Sequence, residues 1–112
     1  MTWMIKWHAP LFDNLADYFA ADDINARLTR SAALQVCKLA HVHGRIVSRI
    51  EGGIERSNGI EWRLDALWSG GDPPMAVGPA GQNNAVAGAF IAAVPECDVF
   101  MMMVPPSGAA GR

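Results

Sequence analysis

Cys37, His41 and His43 are the residues whose types and spacing come closest to chemistry. A cysteine and a histidine four residues apart lie on one face of a helix, where a thiolate and an imidazole can share a metal ion. The same pair can instead set a thiol nucleophile beside its base, with His41 or His8 in the second role. A structural zinc site needs a further ligand pair downstream, and none follows. No local signature surrounds Cys37 or Cys97, and a thiol in apolar surroundings is usually inert. The simpler reading is a buried thiol with two histidines near a helix end, where they complement the dipole. No catalytic residue, metal ligand or cofactor is therefore assigned.

Two other groups invite the same question. Gly78-Pro79-Ala80-Gly81-Gln82-Asn83-Asn84 precedes a predicted helix, a place where backbone N–H groups can hold an anion. It lacks the Gly-Lys-Ser/Thr ending of a P-loop and has no basic residue beside it, so it reads as a flexible linker before a capped helix. Glu51, Glu55, Glu61 and Asp65 alternate with apolar residues, interleaved with Arg49 and Arg63. Paired carboxylates can do acid–base work, but on the outer face of a strand they are a solvated surface.

The tryptophans carry more weight. Trp3, Trp7, Trp62 and Trp68 each fall on the apolar side of a predicted strand. Such rings fill a core. They can also wall a cavity between sheet and helices that admits a small apolar ligand. In that second reading the ligand-binding residues are Trp3, Trp62, Trp68 and Phe90, with 69–82 as the lid.

The elements that position these residues follow from periodicity. Trp3, Ile5 and Trp7 alternate with polar neighbours, which predicts a first strand over 2–8. Leu11, Phe12, Leu15 and Phe19 share a helical face behind Pro10, predicting a helix over 10–21. Residues 22–43 read two ways. A helix capped by Asp22 or Asp23 and ended by Gly44 is favoured, yet Leu34, Val36, Ala40 and Val42 also alternate like a strand over 33–42.

Strict alternation over 45–68 predicts a hairpin whose even positions, from Ile46 to Trp68, face the core. A three-residue loop, Ser57–Gly59, keeps both apolar sets on one face by pairing Ile54 with Trp62 and Ile50 with Ala66. A bulge at Gly52-Gly53 is the alternative that resets the parity. Residues 69–82 read as loop, and 85–94 as a helix capped by Asn83 or Asn84. That helix is apolar all round, which suits burial on more than one side. Asp98–Val104 is apolar on both faces, the pattern of a strand covered on both sides.

The whole reads as α+β: a four-stranded, antiparallel-rich sheet with helices on one face, with ferredoxin-like βαββαβ as the leading topology. Residues 1–104 form one domain and 105–112 a disordered tail. The chain has 112 residues, 51% apolar, and a net charge of −2. That composition excludes a disordered linker protein, and the scattered basic residues give no stripe for nucleic acid. No apolar run approaches a membrane span and no signal sequence is visible, so a cytoplasmic protein with free thiols is expected.

The doubly apolar last strand and the small-residue helix point to a homodimer. Two functions fit. One is non-catalytic binding of a small apolar molecule in an aromatic-walled pocket. The alternative is a protein-interaction module, an adaptor or inhibitor, acting through a sheet face or the 69–82 loop. The sequence leaves open whether His8, Cys37, His41 and His43 converge, and whether a site forms across a dimer.

Overall fold

The computed structural model describes residues 10–108. The predicted strand over 2–8, with Trp3, Trp7 and His8, lies outside them. Among the described residues one mixed five-stranded sheet packs with three helices. The strands are β1 (Leu11–Phe12), β2 (Asn25–Thr29), β3 (Arg49–Arg56), β4 (Gly59–Ser69) and β5 (Val99–Met103). The helices are α1 (Leu15–Ala21), α2 (Arg30–Leu39), which runs on into a 3-10 turn at Ala40–His43, and α3 (Val77–Ala92). The spatial order is β1-β2-β5-β3-β4, with β1 parallel to β2 and all other neighbours antiparallel.

The α+β class is as the sequence suggests; the four-stranded ferredoxin-like sheet gives way to five strands. The succession βαββαβ is present from β2 to β5, but the last strand sits between β2 and β3. Its central place explains its composition. Val99, Phe100, Met101 and Met102 are all buried, with Phe100 and Met102 in the main core.

The helix expected over 10–21 is shorter. Pro10 O accepts from Arg27 N–H at 2.8 Å, which draws Leu11–Phe12 into the sheet. Asn14 then caps α1, its side-chain oxygen accepting from Asp17 N–H at 2.8 Å. Residues 22–43 split between strand and helix. Ala26 and Leu28 alternate inward on β2, and Thr29 rather than Asp22 or Asp23 caps α2. Residues 33–39 are helical, and Gly44 closes the segment with φ +70°, where a side chain would be strained.

The hairpin departs from the favoured register. Its loop is Ser57-Asn58, with Arg56 paired to Gly59 and Ile54 to Glu61. The parity is reset by a bulge: two steps along β3, from Glu51 to Gly53, face five along β4, from Leu67 back to Trp62. Ile50 pairs with Trp68 on the core face, whereas Gly53 pairs with Trp62 on the opposite face. The bulge also turns Leu64 outward, to 89% exposure, although alternation places it inward. Glu51, expected at the surface, is buried and accepts from Arg49 Nε at 3.2 Å.

The expected loop over 69–82 is also shorter, because α3 begins at Val77. Pro79 falls in its first turn, where no N–H is required, and Gly78 and Gly81 are accommodated. Asn83 and Asn84 are therefore not caps. Asn84 is fully buried inside α3; its Oδ1 accepts from Val47 N–H at 2.8 Å and its Nδ2 donates to Arg45 O at 3.3 Å. Asn83 donates to Val47 O and accepts from Gly71 N–H. These bonds tie α3 to the segment leading into β3. Past Val104 the chain stays paired: Pro105 O accepts from Ile46 N–H, and Ser107 N–H donates to Gly44 O.

Candidate functional site

The residues singled out for chemistry do not assemble into a reactive site. Cys37 lies on the buried side of α2, and burial pushes its thiol up to about 12, so it stays protonated and un-nucleophilic at neutral pH. His41 falls in the 3-10 turn that extends α2. Its Nδ1 is buried with no hydrogen-bond partner among the described residues. His43 turns away to stack on Phe19, ring centroids 4.1 Å apart. No group of three potential metal ligands occurs among the described residues.

What Cys37 and His41 do share is a cleft. Helices α2 and α3 lie side by side, and between them opens a depression of about 680 Å³. Leu34, Cys37, Lys38 and His41 line one wall, and Gly81 and Gly88 are among the residues of the other. Close approach needs those glycines. A Cβ on Gly81 would lie 3.3 Å from the His41 ring, and one on Gly88 would lie 3.4 Å from Cys37 Cβ. Arg30, at the start of α2, locks the far end of α3 by donating to the carbonyls of Ile91, Val94 and Cys97 at 2.5–2.9 Å. A cation at a helix C-terminus also opposes the helix dipole.

The surface around the cleft is unusual in its charge. Helix α3 contains no Asp, Glu, Lys or Arg over its sixteen residues. Its inner positions Ala80, Asn84, Ala87 and Ile91 are buried, but its outer positions face solvent. Val42, Val77 and Val86 are each more than half exposed, and Leu34 and Leu39 more than a third. A helix burying one face normally carries charge on the other. An exposed apolar face instead marks a place where another molecule binds.

The tryptophan pocket residues are dispersed. Trp68 and Phe90 pack on the edge of the core, and Trp62 lies over Gly53 on the other face of the sheet. None of these three lines the α2–α3 cleft. Trp3 lies outside the described residues.

No family model matches the chain. A relative among proteins of known description does. Over 96 residues the chain is 43% identical to a Burkholderia pseudomallei protein named immunity protein CdiI, covering 84% of this chain and 88% of the relative. The chain belongs to the CdiI immunity protein family. The charge-free outer face of α3 is the feature that sequence reasoning missed. Its signal was legible, since Val77–Ala92 holds no charged residue. Reading residues 77–82 as loop, and 85–94 as a helix buried on several sides, hid it. Arg30 and Arg45, which hold the frame, gave no sequence signal, because a lone arginine reads as surface.

Proposed function

We propose that the protein is an immunity protein: a non-catalytic inhibitor that binds a cognate toxin and blocks its action. The observation that carries this reading is the 43% identity to immunity protein CdiI across most of both chains. The exposed apolar surface around α3 supports an interaction role, since a solvated protein rarely keeps a charge-free helix face without a partner. The unreactive Cys37 also favours inhibition by contact over chemistry. Small-molecule binding in a tryptophan pocket is the weaker reading, since Trp62 and Trp68 sit on opposite sheet faces. The inhibitor acts in the cytoplasm of the producing cell, where two buried free thiols are stable.

The test is protection. The chain is expressed in cells that produce, one at a time, the toxin domains of its own source organism. The reading predicts that growth is restored against one toxin and not the others, and that the purified pair forms a complex. Failure to restore growth against any of them would overturn it.

A further inference from the structure

The immunity reading leaves open where the toxin sits. Resting on that reading, we propose that the toxin docks in the α2–α3 cleft, inserting an apolar helix that carries a carboxylate against Lys38.

Shape is the first argument. A depression of about 680 Å³ between two adjacent helices, lined by Leu34 on one side and by Val77, Gly81 and Gly88 on the other, is the kind of groove that takes a third helix. Val77, more than half exposed, adds apolar contact at the mouth of the cleft. Charge is the second. Among the described residues Lys38 is the single Lys or Arg lining the cleft, no Asp or Glu lines it, and the first turn of α3 carries no acid. An anionic group arriving there meets a cation that no described acidic lining residue answers, although the chain as a whole is net negative.

The same pattern argues against other occupants. A second copy of this chain would bring an identical acid-free face, leaving both Lys38 side chains unanswered. On the opposite flank, the free edge of the sheet is defended. The β4 bulge breaks the ladder a strand would add to, and the charges there are already paired, Arg56 with Glu61 and Arg63 with Asp65.

The experiment is calorimetric titration of the toxin that the chain neutralises in the growth assay, with four forms of the full chain. Wild type, Val77→Glu, Lys38→Glu and Leu64→Glu are compared after circular dichroism confirms folding; all three positions are exposed. The proposal predicts that Val77→Glu and Lys38→Glu each raise Kd at least tenfold. It predicts that Leu64→Glu, on the far flank, stays within about twofold. It further predicts that the Lys38→Glu loss shrinks in high salt. Tight binding by wild type and equally tight binding by Val77→Glu would overturn the docking site while leaving the immunity reading intact. A wild-type dimer in light scattering that Val77→Glu dissolves would assign the face to a second copy and overturn it too. Binding of no toxin by wild type would instead remove the immunity reading on which the site rests.

Discussion

Arg45 is buried and holds three backbone segments together. Its guanidinium donates to Val104 O at 2.8 Å, pairs with the Asp22 carboxylate, and lies within 6.0 Å of the Tyr18 and Phe19 rings. Removing it strands a buried carbonyl and opens space beside Tyr18. Arg45→Ala is expected to lose about 2–3 kcal/mol, read as a lower urea midpoint, with Arg45→Lys recovering only part because lysine cannot fork. A second residue-scale consequence concerns alkali. Burial pushes the Cys37 thiol from 9.0, and the Tyr18 phenol from 10.0, up to about 12, with Arg45 opposing the shift at Tyr18. Between those values the unfolded chain has released protons that the folded chain still holds. Stability present below pH 9 is therefore lost as pH rises toward 12. Urea midpoints falling across that window, less steeply in Cys37→Ala, would bear this out. At the residue scale the inert thiol was legible from its apolar neighbours, whereas the Arg45 node was not, because its partners lie more than twenty residues away.

Helix α3 is held in part by one buried amide. Asn84→Ala would leave Val47 N–H and Arg45 O without partners in a dry site. A loss of about 2–3 kcal/mol is expected, and amide exchange at Val47 should rise. The β3–β4 bulge depends instead on missing side chains. A Cβ on Gly53 would approach the Trp62 ring to 2.9 Å, and one on Gly52 would meet Cys97 Sγ at 2.8 Å. Gly52→Ala, with Cys97 and Ala66 both buried around it, is expected to cost about 1–3 kcal/mol in thermal or urea unfolding. The hairpin shows how far periodicity reaches. Alternation located both strands and named Gly52-Gly53 as the alternative place to reset parity. It could not choose between that and the loop, because either device lets two apolar sets share a core. Strand β2 was missed for a different reason: five residues with only Ala26 and Leu28 inward give too short a pattern to stand out beside an adjoining helix.

At the scale of the molecule, the sheet order decides what is left exposed. Placing β5 between β2 and β3 buries the methionine-rich strand without a second subunit, so the apolar character read as a dimer signal is absorbed by the sheet itself. Strand order was not legible, since it is set by pairings between residues up to 78 positions apart, Asn25 with Met103 among them. Among the described residues the outer side of α2 and α3 is apolar and exposed, and the proposed interaction is placed on that side. Hydrogen–deuterium exchange of the chain, alone and with the toxin it neutralises, tests this most directly. The account predicts slower exchange over residues 34–42 and 77–89, with β4 unchanged. Slowing confined to β4, or no slowing anywhere in a formed complex, would contradict it.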